Sequence, residues 1–92
     1  MTLDLDSRPA IAPLYRCQYE TAQQAWVLLY PEGMVRLNGP AGEILRRCDG
    51  VLSVQGLIAE LEAAFGGADT APRLRADVCH FLADAQARGW IR

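Results

Sequence analysis

The residues with chemical potential are few and scattered. His80 is the single histidine of the 92-residue chain. A Ser-His or Cys-His pair needs it within hydrogen-bond reach of a nucleophile. On a helical wheel His80 falls opposite Leu74, Val78 and Leu82, which points it at water. The three cysteines, Cys17, Cys48 and Cys79, show no CxxC or CxxH spacing. Their odd number argues against a disulfide framework, and their spacing against a structural zinc site. Each sits among apolar neighbours and reads as a small core residue of a reduced, cytoplasmic protein. The carboxylates do not converge either. Glu60 and Glu62 are two apart on a helix and diverge, and Asp77 and Asp84 lie more than one turn apart, so both pairs read as solvated helix face. Gly39-Pro40-Ala41-Gly42 opens a helix after a strand but lacks GxGxxG and GxxxxGK spacing, so no phosphate loop is expected. No catalytic residue, metal site or cofactor follows from these groups.

Charge narrows the function classes further. All nine basic residues are Arg. Four Arg against five acids in residues 1–46, and five against six in 47–92, leave each half at −1. A nucleic-acid binder needs a basic face to neutralise phosphates, and no such concentration exists. Hydrophobic residues at 51% and charged residues at 22% describe a folding chain. One domain over 1–92 is expected, with too small a core for an enclosed substrate cleft. The N-terminus lacks the basic and apolar regions of a signal peptide, and no apolar run approaches the ~20 residues of a membrane span.

The elements that would position these residues follow from periodicity. Residues 1–13 hold Pro9 and Pro13 without a period and form an irregular lead-in, with 1–8 expected to be mobile. Leu14 to Tyr19 alternates, with Tyr15, Cys17 and Tyr19 on one side, as in a half-buried strand. Ala25 to Tyr30 is apolar on both faces and reads as a central strand. Pro31-Glu32-Gly33 is turn chemistry, and Met34-Val35-Arg36-Leu37 is a short third strand at the sheet edge. Asn38 then caps a helix with Pro40 in its first turn and Ala41, Ile44, Leu45 and Cys48 at helical spacing, and Gly50 is expected just past its end as a left-handed residue. Ser53 caps a second helix, Val54 to Phe65, with Leu57, Ile58, Leu61 and Phe65 on one face, closed by Gly66-Gly67. Thr70 caps a third, whose stripe is Leu74, Val78, Phe81, Leu82 and Ala85. Gly89 ends it, and Trp90-Ile91 folds back. The expected fold is α+β and winged-helix-like: a three-stranded antiparallel sheet followed by three helices.

This arrangement admits a DNA-binding reading, with Arg73 and Arg75 at the start of a recognition helix. Asp77 and Asp84 on the same helix and the net charge of −2 oppose it. The third strand offers another use. It is a short edge with one charge, Arg36, and such edges normally carry protection. A cleft between it and an amphipathic helix suits an extended peptide added as a further strand. The alternative is an edge covered by helix 3 or by the lead-in.

Several stretches resemble the PqqD family of pyrroloquinoline quinone biosynthesis. They are Leu29-Tyr30-Pro31-Glu32-Gly33, Val35-Arg36-Leu37-Asn38, Ile44-Leu45, Cys48-Asp49-Gly50 and Val54 to Ile58. To these are added Asp77-Val78, Phe81-Leu82 and Gly89-Trp90-Ile91, with Arg8-Pro9 and Leu14-Tyr15-Arg16 in the lead-in. The resemblance runs from Arg8 to Ile91. It implies a non-catalytic peptide chaperone, the recognition element of a peptide-modification system. Such a protein binds the precursor peptide PqqA and presents it to the radical S-adenosylmethionine enzyme PqqE, which cross-links Glu and Tyr of that peptide. It also implies that the leader lies along the third strand against the third helix. On that basis the expected peptide-binding residues are Met34, Val35, Arg36, Leu37, Arg75, Val78, Cys79 and Leu82, with Arg36 or Arg75 pairing a leader carboxylate. Helix 1 and the 49–53 link are expected to meet the enzyme partner. The protein is expected to be a monomer or weak homodimer without nucleic-acid or membrane partners. Direct binding of the quinone product is the remaining alternative, resting on Trp26, Tyr30 and Trp90.

Overall fold

The sheet is built around one strand that is buried on both sides. A computed structural model of the chain describes residues 4–66 and 71–92. Strands β1 (Arg16–Glu20), β2 (Ala25–Tyr30) and β3 (Gly33–Arg36) form an antiparallel sheet in the order β1-β2-β3. Successive side chains of a strand point to opposite faces, yet Val27 and Leu28 are both fully buried. The apolar run of Ala25 to Tyr30 therefore fits its central position, as expected from sequence. Gln24, in the turn before it, takes a left-handed φ of 51°.

Helices α1 (Gly39–Leu45), α2 (Val54–Phe65) and α3 (Ala71–Ala87) follow. The Asn38 side chain accepts the Ala41 N–H at 2.8 Å, and Ser53 Oγ accepts the Gly56 N–H at 3.0 Å, so both caps stand where the sequence placed them. Thr70 and Gly67 lie outside the described residues. Helix α1 is shorter than its apolar spacing implied. It ends at Leu45, and Cys48 is buried from a following turn whose N–H groups bond three residues back, to Ile44 and Leu45. Gly50 does have a left-handed φ of 80°, but it serves the tight link rather than the helix end. There the Asp49 carboxylate accepts the Val51 and Leu52 N–H groups at 2.8 and 2.9 Å. These bonds, that from Leu52 foremost, hold its carboxyl below the usual range. Gly89, with φ of 80°, closes α3 as expected: Trp90 N–H reaches the Ala85 carbonyl and Gly89 N–H the Gln86 carbonyl.

Leu28 meets Leu45, Leu57, Ile58, Val78, Leu82 and Ala85 in the core, all at most 1% exposed. Phe65, expected on the α2 stripe, is instead 63% exposed at the last position of that helix. The lead-in is an ordered strap over residues 5–12. The carbonyls of Ser7 and Leu5 accept the Val54 and Gln55 N–H groups, two first-turn donors of α2 that have no partner within the helix. Ala10 exchanges bonds with Arg92, and Ile11 bridges to Ile91, which is buried. Of the segment expected to be mobile, residues 1–3 lie outside the described residues, whereas Leu5 packs on the core.

Two local constraints set where α1 lies. A Cβ at Gly42 would come within 2.7 Å of the Trp26 side chain, so glycine permits helix and strand to approach this closely. Arg47, with its side chain 10% exposed, donates to the Glu43 carboxylate at 2.7 Å, the Glu43 carbonyl at 2.8 Å and the Glu60 carboxylate at 3.1 Å, tying α1 to α2. Glu60 is therefore part of an ion-pair cluster rather than simply solvated. The hydrogen bond from Arg47, then that from Arg46, holds the Glu43 carboxyl below its usual range.

Two predictions follow. Gly42→Ala gains up to about 1 kcal/mol of helix propensity but overpacks against the indole at about 1–3 kcal/mol. The expected net is destabilisation, with a thermal melt about 4–8 °C lower for each kcal/mol lost. An unchanged melting temperature would show that α1 moves off the sheet freely. Glu43→Gln is expected to cost at most about 1 kcal/mol near neutral pH, because the carboxylate is partly exposed. A carboxyl with a depressed folded pKa stabilises fully above its unfolded pKa and loses that contribution as pH falls through the folded value. Urea unfolding of parent and variant is thus expected to differ near neutrality and to converge in acid.

Candidate peptide-binding groove

The free edge of β3 follows from the hydrogen-bond alternation of the sheet. Leu37 N–H donates to the Trp26 carbonyl at 2.9 Å. The register pairs Val27 with Arg36, Leu28 with Val35 and Tyr30 with Gly33. Antiparallel pairs alternate between bonded and non-bonded, so Leu37, Val35 and Gly33 turn their backbone groups toward β2. Met34 and Arg36 turn theirs outward. Among the described residues no other element bonds these outward groups, and the lead-in, one expected cover, runs to Cys48–Gly50 and Trp90–Arg92 instead.

A groove of about 1030 Å³ opens at the C-terminal end of this edge. Arg36, Leu37 and Asn38 form one rim, and the first turn of α1 continues it through Gly39 and Pro40 to Glu43 and Ile44. Leu61 and Phe65 come from the end of α2, and Leu74, Asp77 and Val78 from the start of α3. Tyr19, Gln24, Ala25 and Trp26 complete it at the β1–β2 turn. Tyr19 packs edge-on against Trp26 with ring centroids 5.6 Å apart, and the Arg46 guanidinium lies 5.8 Å over the same indole.

Of the residues selected from sequence, the structure brings Arg36, Leu37 and Val78 together in the groove. Met34 is 43% exposed on the β3 edge outside it, and Val35 is half-buried against the core. Arg75 is exposed on α3 away from the groove lining. Cys79 is half-buried against the core, and Leu82 is fully buried within it. Sequence reasoning selected none of Trp26, Ile44, Phe65, Leu74 and Asp77 for a peptide groove: it read Ile44, Phe65 and Leu74 as apolar stripe and Asp77 as solvated helix face, and weighed Trp26 only for the quinone. Leu74 and Val78 are one turn apart, so Asp77 between them lies beside the apolar stripe by spacing alone, and the periodicity that marked Phe65 did not separate a groove position from a core one.

Glu43 is engaged by Arg46 and Arg47. Burial pushes the Cys48 thiol up to about 12, and its Sγ lies 3.4 Å from the Ile44 carbonyl, so it stays protonated. Burial also raises Cys17, against the opposing pull of Arg46. His80 is exposed, as the wheel predicts. Among the described residues no three His, Cys, Asp or Glu side chains are grouped to hold a metal ion, and no helix is long and apolar enough to cross a membrane. Of the aromatics behind the quinone-binding alternative, only Trp26 lines the groove; Tyr30 packs on Tyr15, and Trp90 lies under Arg88.

Comparison with known proteins agrees with this architecture. The solution structure of the PqqD truncation of Methylobacterium extorquens PqqCD, described as a functional, stand-alone recognition element for ribosomally synthesized and post-translationally modified peptides, superposes with a TM-score of 0.78. It covers 99% of this chain and 95% of that one at 20% identity, which establishes the shared fold. The "PqqA binding protein" of Pseudomonas entomophila is 45% identical over 99% of this chain and 97% of its own length. That of Methylococcus capsulatus is 40% identical over 100% and 95%. The model of coenzyme PQQ synthesis protein D matches residues 25–91. With strand order, helix order and sequence all in agreement, this chain belongs to the PqqD family.

Proposed function

We propose that this chain is a non-catalytic chaperone that binds the precursor peptide PqqA and presents it to the radical S-adenosylmethionine enzyme PqqE. The observation that carries the reading is the outward pair of backbone groups at Met34 and Arg36, opening beside an apolar groove. The naming of its relatives as PqqA binding proteins supports the choice of peptide. The leader adds as a fourth strand along β3. Its backbone bonds Met34 and Arg36, and an alternate side chain enters the groove over Leu37 and Val78. Backbone pairing supplies sequence-tolerant affinity, and the groove supplies selection. The leader loses conformational freedom on binding, so a dissociation constant in the micromolar range or somewhat tighter is expected.

The working state is a cytoplasmic monomer. A second copy pairing through the same edge would compete with the peptide. Helix α1 and the 49–53 link face the enzyme partner in this reading.

Hydrogen exchange of the isotope-labelled protein, with and without synthetic PqqA, tests strand addition at single residues. The Met34 and Arg36 amides are expected to become protected on binding. The Gly33 and Val35 amides, already turned toward β2, are expected to change little. Saturation with peptide that leaves Met34 and Arg36 exchanging freely would refute the added strand.

A further inference from the structure

The β3 edge presents different residues on the two faces of the sheet. Successive side chains of a strand alternate between faces, and residues abreast on neighbouring strands share one. Val35 and Leu37 point with Leu28 and Trp26 to the helix side, where Val35 packs against the core and Leu37 is buried. Met34, abreast of Leu29, and Arg36, abreast of Val27, point to the far side. Although Arg36 stands on the rim of the groove, its side chain therefore leaves β3 on the face away from α3. Val27, Leu29 and Met34 lie outside the core cluster that holds Leu28. Met34 is exposed there, and Gln23 Nε2 donates to its Sδ at 3.7 Å. Arg36 is exposed and has no ion-pair partner among the described residues. The one acid that the strands place on this face, Glu20 of β1, does not bridge to it.

An added strand inherits this division. A chain laid along β3 bonds the outward backbone groups of Met34 and Arg36. Its residues abreast of those two turn their side chains to the far face, and the residue between them faces the helices. From this register, and resting on the added strand proposed above, we infer that the peptide is read on both faces of the sheet. The residue abreast of Leu37 enters the groove. On the far face, Arg36 pairs an acidic residue, and Met34 packs against an apolar residue two positions from that acid. In one chain direction or the other, the recognised segment thus carries a groove residue, an acid, a second helix-side residue and an apolar residue. Arg36 is a specificity-determining residue that acts from outside the groove. A slip of one residue would send the acid into the apolar groove, so this row also fixes the register of the bound chain. Cross-strand pairs on a solvated face contribute little each, so the row sets partner choice more than affinity.

The test is a charge-swap cycle with a distance control. Synthetic PqqA is prepared with each acidic residue replaced singly by Lys. Every form is titrated against the parent protein, Arg36→Glu and Arg16→Glu, with circular dichroism confirming that the exposed substitutions leave the fold intact. Arg16 shares the far face but stands on β1, three strand spacings from the added chain, or about 14 Å. That separation exceeds the screening length of about 8–10 Å. Arg36→Glu is expected to weaken parent peptide about three- to fivefold, and Arg16→Glu to leave it within about twofold. One Lys-substituted peptide is expected to lose the same factor on the parent protein and to recover it on Arg36→Glu alone. Counted from that position, Met34→Lys is expected to be rescued by an acid placed two residues away on one side. An acid placed one residue away faces the helices and is expected to give no rescue. The inference is overturned if Arg36→Glu binds parent peptide as tightly as the parent protein does, if Arg16→Glu weakens it equally, or if no reversed peptide is rescued. Protection of the Met34 and Arg36 amides would in that case leave the added strand standing. If saturating peptide leaves those amides exchanging freely, the added strand fails and this inference fails with it.

Discussion

Trp26 is the residue through which the sheet, the first helix and the groove are held in one arrangement. Its carbonyl accepts the Leu37 N–H and so continues the β2–β3 ladder one residue past the strand. Its side chain receives α1 at Gly42, where any Cβ would collide. Tyr19 packs on the indole from β1, Arg46 lies over it from the end of α1, and Trp26 also lines the groove. The short α1 has seven residues and little helical stability of its own, so its position is an outcome of packing. With α1 seated on Trp26, its first turn becomes a groove wall directly after the β3 rim. Loss of this contact would therefore disturb the site and the fold together.

The second organising feature is the division of polar groups between those that are engaged and those that are left open. The strap satisfies first-turn N–H groups of α2 with the carbonyls of Leu5 and Ser7. Arg47 gathers Glu43 and Glu60 and thereby joins two helices. Around these satisfied regions the β3 edge keeps two residues with outward backbone groups, and Arg36 at the groove rim keeps its charge without an ion-pair partner among the described residues. In a domain this small the core takes up most apolar side chains, so an exposed Phe65 and Tyr19 beside the same groove are notable. Large exposed apolar groups that cluster at a concave surface mark a binding surface more often than a folding defect.

Much of the architecture was legible because local rules governed it. Asn38 and Ser53 cap their helices through side-chain oxygens, a preference written in residue type. Gly89 ends α3 in the left-handed conformation that glycine adopts without steric cost. The double-sided apolar run of β2 announced a central strand. The end of α1 was misjudged because Cys48 continues the helical spacing of apolar residues from a turn that buries it equally well. Phe65 was misassigned because period alone does not reveal that a helix has run past the edge of its partner.

Sequence by itself determined the order and type of the six elements, the Asn38 and Ser53 caps and the edge position of β3. Each depends on residue type or on spacing within one segment. The groove was decided only by tertiary structure. Met34, Val35, Arg36 and Leu37 were chosen together as a strand, but the alternation of the ladder gives Met34 and Arg36 the free backbone groups and sends Val35 and Leu37 inward. Likewise Arg75, Val78, Cys79 and Leu82 share a helix, yet only Val78 reaches the groove. The rotation of α3 about its own axis selects Leu74 and Asp77 in their place. That rotation is set by the packing of Val78, Leu82 and Ala85 against the rest of the core, a many-body fit that no single segment encodes.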